Sequence, residues 1–417
     1  MSTCPHFGSC GGCSRQDVSY EQQLSDKEAQ VRACLAEFSV EEWKPILPSP
    51  EQTFYRNKME YSFGNEVDIS IFLGSNDGGR LSGLRSESAT VTTSEQPSPL
   101  AIINRHTVHV GLHPRKRFAL VMPTPECHLL SLASQKIMAI VTAWANEFGV
   151  SSFIRKTGAG DLRHLVIREG KNTGERMVKL VAKSSTPQME TLAERLKNSG
   201  VPITTFFWSV HDGLSDVAHG GDTKIFWGDS TIRERMGRMI VRVTSSSFLQ
   251  TNTHAAEKML EVLKGWMGSP EKIIDLYCGS GTIGLNLAQG HNKLVGVETN
   301  SSAIDEARIT AQSNGFDHAE FIVGPVEKLI TTHPSLAADE KTLVVVDPPR
   351  PGLHPSVVDA LTNWNVPNLY YVSCNPESLA RDLRGLSSRY TIRTVQPMDF
   401  FPHTDHMETA VRLERKN

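Results

Sequence analysis

Two short segments near the C-terminal end contain the residues best suited to chemistry. Residues 373–376, Ser-Cys-Asn-Pro, present the thiol of Cys374, and residues 406–409, His-Met-Glu-Thr, present the carboxyl group of Glu408. A thiolate can attack an electron-poor carbon, and a carboxylate can accept a proton as a general base. The two segments therefore predict a nucleophile and a base that act in one reaction.

Both residues also have simpler interpretations. An isolated cysteine is more often a buried apolar residue than a nucleophile, and His403, His406 and Glu408 are three potential metal ligands. Their spacing is not the helical His-Glu-x-x-His pattern of zinc enzymes, which argues against a metal. Cys374 follows the apolar strand pattern of residues 369–372, which places it at the edge of a sheet and favours the catalytic interpretation.

A glycine-rich loop lies upstream of both segments. Residues 275–284, Asp-Leu-Tyr-Cys-Gly-Ser-Gly-Thr-Ile-Gly, fit the pattern G-x-G-x-x-G after an apolar strand and before a helix. Gly279 and Gly281 let the backbone approach a ligand, and Glu298, at the end of the next strand, can accept hydrogen bonds from ribose hydroxyls. The loop predicts a nucleotide-type cofactor, with dinucleotides and S-adenosylmethionine equally compatible. Cys278 is expected to be a packed structural thiol.

A proline-stiffened turn completes the set. Residues 347–350, Asp-Pro-Pro-Arg, follow the apolar pattern of residues 343–346, so Asp347 lies at the sheet edge where ligands bind. Nucleophile, base, cofactor loop and polar edge together favour methyl transfer from S-adenosylmethionine to a carbon too unreactive to attack unaided. An NAD-dependent oxidoreductase is an alternative, but it leaves Cys374 and Glu408 without a shared task.

An α/β scaffold must position these residues. From about residue 251 onward, short apolar strands alternate with helical patterns, which predicts a doubly wound, mostly parallel sheet. The predicted strands are residues 273–276, 294–298, 321–323, 343–346, 369–372 and 409–414. The preceding part predicts a mainly β, α+β domain with a helix at 132–148 and a hairpin turn at 171–174.

The expected division has four parts. They are a cysteine knuckle at 1–16, a helical segment at 17–45, a central domain at 46–250 and a catalytic domain at 251–417. Residues 82–99, rich in Ser, Thr, Glu and Pro, are expected to form an exposed loop.

Three cysteines crowd the N-terminus, at Cys4, Cys10 and Cys13. Disulfides are rare in a reducing compartment, where clustered thiolates more often bind a metal. Cys127 is the best candidate for a fourth ligand, because Cys34 falls within the predicted N-terminal helix. Four thiolates suit zinc and an iron–sulfur cluster equally well by count.

The bulk composition restricts the class of protein. With 39% hydrophobic and 21% charged residues, the chain matches an ordinary globular protein. The net charge of -3 gives no global basic signature, so nucleic-acid binding needs a local patch such as residues 115–117, Arg-Lys-Arg. The sequence contains no apolar run long enough for a membrane span and no signal-peptide pattern, so we expect a cytoplasmic protein.

The catalytic half resembles the RNA uracil carbon-5 methyltransferases of the class I S-adenosylmethionine-dependent superfamily. Five ordered motifs carry the likeness, at residues 247–252 (Ser-Phe-Leu-Gln-Thr-Asn), 275–281, 347–352, 373–376 and 401–408 (Phe-Pro-His-Thr-Asp-His-Met-Glu). Residues 55–58 and 111–115 resemble that family's central domain. The resemblance implies a Rossmann-like catalytic domain and a central RNA-binding domain.

The resemblance also implies a mechanism. Cys374 adds to carbon 6 of uracil, carbon 5 takes the methyl group, and Glu408 removes the carbon-5 proton before Cys374 is released. A target base within folded RNA must be unpaired or flipped out. By the same match, the cofactor and base contacts are Gln250, Tyr277, Gly279, Gly281, Glu298 and Asp347, with Phe248 stacking on the target base and Asp347 also contacting it.

The ribosomal-RNA members of the family carry a four-iron cluster on a similar cysteine arrangement, and the transfer-RNA members lack it. The resemblance thus implies a [4Fe–4S] cluster, structural or in contact with RNA, on Cys4, Cys10, Cys13 and Cys127. Cys4 stands almost at the start, so the additional β-barrel domain of one ribosomal branch is expected to be absent, as in the RlmC-type branch.

We expect a monomeric 23S ribosomal RNA methyltransferase. The alternatives are a transfer-RNA enzyme with the same chemistry, an enzyme that modifies two ribosomal-RNA sites, and a catalytically silent RNA-binding protein.

Overall fold

The computed structural model describes residues 4–65, 107–117, 119–213, 215, 218, 221–290 and 292–416. We number its helices and strands in chain order. The helices are α1 (Tyr20–Cys34), α2 (Leu132–Glu147), α3 (Met189–Lys197), α4 (Thr253–Trp266), α5 (Thr282–Leu287), α6 (Ser301–Ser313), α7 (Val326–Leu329), α8 (Pro355–Asn363) and α9 (Pro376–Leu386). The strands are β1 (Val40–Trp43), β2 (Lys58–Asn65), β3 (Val108–Leu112), β4 (Met122–Pro123), β5 (Leu162–Glu169), β6 (Arg176–Ala182), β7 (Thr205–Val210), β8 (Thr223–Trp227), β9 (Thr231–Met236), β10 (Met239–Thr244), β11 (Lys272–Leu276), β12 (Lys293–Glu298), β13 (Glu320–Val323), β14 (Thr342–Val346), β15 (Asn368–Ser373), β16 (Tyr390–Met398) and β17 (Glu408–Arg415).

The chain divides into two units. The first contains Met1–Gln16, Lys58–Glu169 and Glu175–Ser230, and the second contains Asp17–Asn57, Gly170–Gly174 and Thr231–Asn417. This division differs from the expected boundaries, because residues 17–57 and 231–250 belong with the catalytic part. The physical reason is pairing and packing within the second unit: β1 forms hydrogen bonds with β16, and α1 packs against α9 and β16.

An eight-stranded sheet forms the centre of the second unit, in the order β1-β16-β17-β15-β14-β11-β12-β13. The pairs from β15 through to β13 are parallel, whereas β17 lies antiparallel between β15 and β16. Parallel neighbours require crossover connections, and α5, α6 and α8 lie in three of these. This is the doubly wound, mostly parallel α/β sheet that the alternating pattern predicts.

The central strands can be predicted from the sequence because they are buried on both faces of the sheet. Val344, Val345 and Val346 of β14 are fully buried, and such strands appear as continuous β-branched runs. All six predicted strands of this unit correspond to strands in the structure. A search for continuous apolar runs does not reveal β1 or β16, because polar residues (glutamate in β1; threonine, arginine and glutamine in β16) interrupt their apolar residues.

A seven-stranded sheet forms the centre of the first unit, in the order β4-β3-β2-β5-β6-β7-β8. Its pairs are antiparallel except for β6 with β7, whose crossover contains α3. Trp144 of α2 packs edge-to-face against Trp208 of β7, with ring centroids 6.0 Å apart. The predicted helix at 132–148 corresponds to α2, and the predicted turn at 171–174 joins β5 to β6.

Helix α1 lies within the predicted helical segment and has a defined start. The side chain of Ser19 accepts a hydrogen bond from Gln22 N and caps the helix. Its buried positions are Gln23, Lys27 and Val31, so two of the three are polar.

Among the described residues, no helix combines the length and the apolar character that a membrane crossing requires. The exposed loop expected at residues 82–99 lies outside the described residues.

Candidate active site

Strand pairing brings the predicted thiol and carboxyl group together. β15 pairs antiparallel with β17, with Ser373 opposite Thr409. Cys374 follows Ser373 and Glu408 precedes Thr409, so the two residues lie at the same step of the ladder. Glu408 also pairs with Met398 of β16, which holds its backbone from the other side.

Glu408 is a buried carboxyl group with one free oxygen. Its residue is 4% exposed, and Oε2 has no hydrogen-bond partner among the residues that the structure describes. Burial, together with the charge of Asp347, raises the pKa of Glu408 well above its ordinary value. A carboxylate with a raised pKa is a stronger base than one in water, which suits proton removal.

Cys374 is partly buried and faces the same negative charges. Burial, followed by the charges of Glu408 and Asp347, raises the pKa of Cys374 to about 11, and the Arg350 guanidinium acts in the opposite direction. The free thiol is therefore protonated near neutral pH, whereas attack on carbon requires the thiolate. Loss of a negative charge nearby makes the thiolate easier to form.

Arg350 supplies positive charge at this edge. It is exposed, and its guanidinium lowers the pKa of both Cys374 and Glu408. Its Nη2 lies 3.2 Å from Nδ1 of His406, and its backbone oxygen accepts a hydrogen bond of 3.2 Å from Asn375 Nδ2. The sequence motif contains Arg350 but does not reveal that it counters the charge of the two reactive groups.

Asp347 and Gln250 form the polar rim predicted for a substrate. Asp347 directly follows β14, and Gln250 Nε2 donates a hydrogen bond of 3.4 Å to its Oδ2. Burial raises the pKa of Asp347 to about 7, against the lowering effect of that hydrogen bond. Asn57 Nδ2 donates to the backbone oxygen of Gln250 over 2.8 Å. The sequence analysis included Asn57 in the motif at residues 55–58 but did not predict this contact, because it joins residues far apart in the chain.

The glycine-rich loop follows β11 in a left-handed backbone conformation. The φ angles are 64° at Tyr277, 53° at Gly279 and 75° at Gly281. A Cβ at Gly281 would lie 2.9 Å from the ring of Phe321, so glycine is required there. For Tyr277 the same conformation costs roughly 1 kcal/mol or more, and such strain is concentrated at ligand-binding loops.

Glu298 and Phe248 lie beside this loop. Glu298 Oε2 accepts a hydrogen bond of 3.3 Å from Gly279 N, and its Oε1 accepts one of 2.9 Å from Asn300 N. Phe248 is 64% exposed, and a Cβ built on Gly279 would lie 3.9 Å from its Cδ1. An oriented carboxylate and an exposed aromatic ring thus flank the loop, and a planar base can stack on such a ring.

Two buried residues of the loop region have structural surroundings. Asp275 Oδ2 accepts a hydrogen bond of 2.8 Å from Gly284 N, which ties β11 to α5, and burial raises the pKa of Asp275 to about 7. Cys278 packs against Gly296, where a Cβ would lie 2.9 Å from its sulfur. Burial raises the pKa of Cys278 well above its ordinary value, as expected for an unreactive packed thiol.

Four cysteines are neighbours in the first unit. Burial raises the pKa of Cys13 to about 12 and that of Cys127 to about 11, with further increases from nearby cysteines. Electrostatic effects of this kind act at short range, so Cys4, Cys10, Cys13 and Cys127 lie near one another. Within the described ranges, no group of three or more His, Cys, Asp or Glu residues is placed to hold a metal ion as it stands. Cys34 is in the second unit, on α1.

The fold and the site define a class of protein. A doubly wound sheet with a glycine-rich turn after one central strand and an acid at the end of the next is the Rossmann-like arrangement that binds nucleotide-type cofactors. In the second unit, this cofactor edge also carries Cys374 and Glu408. The class is therefore a cofactor-dependent α/β enzyme.

Comparison with known proteins identifies the family. A family model described as tRNA (uracil-5-)-methyltransferase matches residues 216–416. Two uncharacterised RNA methyltransferases, from Clostridium tetani and Clostridium acetobutylicum, are 31% and 32% identical over 99% of this chain and 84% of each relative. The crystal structure of Pyrococcus abyssi tRNA (uracil-54, C5)-methyltransferase with S-adenosyl-L-homocysteine is 29% identical, with a TM-score of 0.73 over 97% of this chain and 85% of that one. The chain belongs to the S-adenosylmethionine-dependent RNA uracil-5 methyltransferase family. This confirms the resemblance and removes the NAD-dependent oxidoreductase alternative.

Alkylation of Cys374 by iodoacetamide should report the charges around it. Glu408→Gln removes the carboxylate whose negative charge raises the pKa of Cys374, so it should accelerate alkylation at alkaline pH. Arg350→Gln removes the opposing positive charge and should slow it. In the unaltered protein the rate should rise by about tenfold per pH unit below the pKa of the thiol. Mass mapping of the modified peptides measures Cys374 separately from the other cysteines.

Arg389→Gln is the matched control, because Arg389 is exposed and precedes β16 at the opposite end from Met398. It should leave the alkylation rate unchanged. Equal rates in the Glu408, Arg350 and control variants would contradict the electrostatic account.

Proposed function

We propose that this protein transfers the methyl group of S-adenosylmethionine to carbon 5 of a uridine in RNA. The register of β15 and β17 carries the proposal, because it sets Cys374 against Glu408 at the edge that also holds the glycine-rich loop. Carbon 5 of uracil is too weak a nucleophile to take a methyl group unaided. Temporary addition of a thiolate to the ring overcomes this, and a base must then remove the extra proton.

The residues at the loop fit the methyl donor. Gly279 leaves room for a ligand, since Phe248 Cδ1 is the nearest atom within 4 Å of a Cβ built there. Glu298 holds a carboxylate beside the loop where ribose hydroxyls can donate to it. When bound, S-adenosylmethionine supplies an electrophilic methyl group. We assign its contacts to Gln250, Tyr277, Gly279, Gly281, Glu298 and Asp347.

Cys374 first loses its thiol proton to water, and its thiolate then adds to carbon 6 of the uracil ring and forms a C–S bond. This addition places electron density on carbon 5, which would take up the methyl group that S-adenosylmethionine supplies, with a thioether as the leaving group. Glu408 then accepts the carbon-5 proton. The electron pair left behind re-forms the ring double bond and expels Cys374 as a thiolate. Glu408 then releases its proton to water and the Cys374 thiolate takes one up, which restores the starting state.

Arg350 supports the charged states of this cycle. Its guanidinium favours the ionised form of both Cys374 and Glu408. The thiolate exists before addition and again after elimination, and the carboxylate must exist before proton removal. A positive charge next to both groups therefore lowers the energy of each of these states.

We assign Phe248, Gln250 and Asp347 to the target base. The exposed ring of Phe248 offers a stacking surface. Asp347, with its pKa of about 7, can donate a hydrogen bond when protonated and accept one when ionised. The uracil edge presents both a donor and acceptors, so Asp347 and the Gln250 amide together match it.

For the RNA target we propose 23S ribosomal RNA. The cysteine cluster of the first unit supports this choice, because the sequence resemblance associates such a cysteine arrangement with the ribosomal-RNA members of the family. A transfer RNA is the second candidate. It is favoured by the likeness to the Pyrococcus abyssi enzyme, whose name specifies uracil 54 of tRNA.

Trapping with 5-fluorouridine RNA tests the chemistry. The unaltered protein with S-adenosylmethionine should form a stable covalent complex on denaturing gels, because fluorine replaces the proton that Glu408 must remove. Cys374→Ala should form none, and Cys34→Ala, the matched cysteine control on α1, should form it normally.

With ordinary RNA, Glu408→Gln should accumulate the complex and turn over about 10²- to 10⁴-fold more slowly. A complex formed by Cys374→Ala, or rapid turnover by Glu408→Gln, would reject the assigned role.

Mapping of transferred label tests the target. Total RNA that lacks 5-methyluridine should receive label from S-adenosylmethionine at one uridine of 23S ribosomal RNA. Label on transfer RNA instead would keep the chemistry and overturn the ribosomal target. Binding of RNA without any label would support the catalytically silent alternative.

We also propose that Cys4, Cys10, Cys13 and Cys127 bind a [4Fe–4S] cluster. The support is the donor set: four soft thiols that are neighbours in one unit and partly or fully buried. Burial raises the pKa of Cys10, Cys13 and Cys127, whereas a cationic cluster would favour the ionised forms of these thiols. When bound, the cluster supplies a covalent link between the N-terminal segment and residue 127. The methyl transfer needs no redox step from it.

Analysis of iron and sulfide in anaerobically purified protein tests this site. We expect four irons and four sulfides per chain, with broad visible absorbance, as the proposed cluster requires. Cys127→Ser should lose both, and Cys34→Ser should retain both. Zinc in stoichiometric amount, or thiols that all react freely with no metal present, would overturn the cluster assignment.

A further inference from the structure

The segment of residues 399–407 connects β16 to β17 and leads directly into Glu408. Asp399 and Phe400 at its start are buried, and so is Met407 at its end. The segment has no regular secondary structure of its own, so hydrogen bonds within it and contacts with other parts of the second unit set its conformation. Since Glu408 follows it without a spacer, this conformation also affects the direction of the Glu408 side chain.

Lys27 of α1 holds the start of this segment. Its Nζ lies 2.7 Å from Asp399 Oδ1 and donates a second hydrogen bond of 3.1 Å to the backbone oxygen of Phe401. The same carboxylate oxygen accepts a hydrogen bond of 3.0 Å from Phe401 N. Lys27 and Asp399 are each 1% exposed. The ion pair is therefore screened from water and closes a tight turn.

Gln23, one helical turn earlier on α1, holds the middle of the segment. Its Oε1 accepts a hydrogen bond of 2.9 Å from His403 N, and its Nε2 lies 3.2 Å from His403 Nδ1. His403 has a φ of 64°, an unfavourable conformation for a residue with a Cβ. The fully buried Gln23 thus contacts the residue at which the backbone is strained.

Stability of the fold alone does not account for these buried polar contacts. Removing a lysine and an aspartate from water is costly, and an apolar pair of similar size often stabilises a protein as well or better. A buried ion pair differs from apolar packing because it accepts only one geometry. Val31 of α1 belongs to the apolar core. Gln23 and Lys27 lie on the same buried face, but they form polar contacts that define one conformation of residues 399–407.

The far end of the segment influences the positions of Arg350 and Glu408. His406 lies 3.2 Å from Arg350, and its ring packs edge-to-face against Phe401 at a centroid distance of 6.1 Å. Phe401 is the residue that Lys27 binds. A shift of the segment would therefore move Arg350, which stabilises the ionised forms of Cys374 and Glu408, as well as Glu408 itself.

We propose that Lys27 and Gln23 of α1 are positioning residues for the removal of the carbon-5 proton by Glu408. The inference rests on the proposed methyl transfer. It makes α1, which precedes the catalytic strands by more than two hundred residues in the chain, part of the apparatus that aims the base. Neither side chain contacts the reacting atoms, and both act through residues 399–407.

The test compares Lys27→Met and Gln23→Leu with the unaltered protein on RNA whose target uridine carries either hydrogen or deuterium at carbon 5. Misdirection of Glu408 slows only the step that breaks this bond. We expect kcat to fall by about 10- to 100-fold, the deuterium isotope effect to increase, and the covalent complex to accumulate. The dissociation constant for S-adenosylmethionine should stay unchanged. Gln23→Leu leaves no unpaired charge, so it remains informative if Lys27→Met does not fold.

Two control variants separate positioning from a general loss of stability. Gln22→Leu changes the exposed neighbour of Gln23 on the same helix. Lys179→Met removes a different buried lysine, in β6 of the first unit. Both should keep the isotope effect of the unaltered protein, whatever their melting temperature.

The outcomes distinguish this inference from the proposed function. If the unaltered protein forms no 5-methyluridine on any RNA, the proposed function itself fails. If it does, and folded Lys27→Met and Gln23→Leu keep its isotope effect and accumulate no complex, the positioning role is wrong. A larger isotope effect in the control variants as well would assign the change to stability and would also overturn the inference.

Discussion

Negative charge concentrated at one end of a buried strand pair is the constraint on which this active site depends. Cys374 and Glu408 lie at the same step of the ladder between β15 and β17, with Asp347 at the end of β14. Burial raises the pKa of each group, and their mutual repulsion raises those of Cys374 and Glu408 further. Arg350 is the opposing charge. The free site therefore holds protons that catalysis must release, and the balance among four side chains governs reactivity.

The sheet topology creates this balance. Parallel strands β14 and β15 deliver Asp347 and Cys374 to the same edge, as successive strands of a doubly wound sheet do. Glu408 reaches that edge from the opposite chain direction, because β17 is antiparallel and the residue begins the strand. A further parallel strand would have placed its first residue at the far edge. The reversal of β17 is thus what allows a residue near the C-terminus to act as the partner of Cys374.

The supporting contacts are mostly polar and mostly between distant parts of the chain. Asn57 fixes Gln250, Asp275 fixes the turn into α5, and Lys27 fixes the segment before Glu408. Apolar packing of β11 and β14 supplies a rigid base, but it does not by itself select one loop conformation. Hydrogen bonds and buried ion pairs accept few geometries, so they define the direction of side chains where the sheet ends.

The sequence alone determined the α/β class, the six predicted strands of the catalytic part, the glycine-rich loop and the family, because buried β-branched runs and glycine spacings are local signals. It also indicated Cys374 and Glu408 as candidates. It did not reveal β1, β16, or the place of residues 17–57 in the second unit, whose strand pairing and packing are non-local. Only the tertiary structure decided that Cys374 faces Glu408, that Arg350 opposes their charge, and that Gln23 and Lys27 hold the segment before Glu408. Register and charge balance depend on which strands pair, and a local pattern contains no information about that.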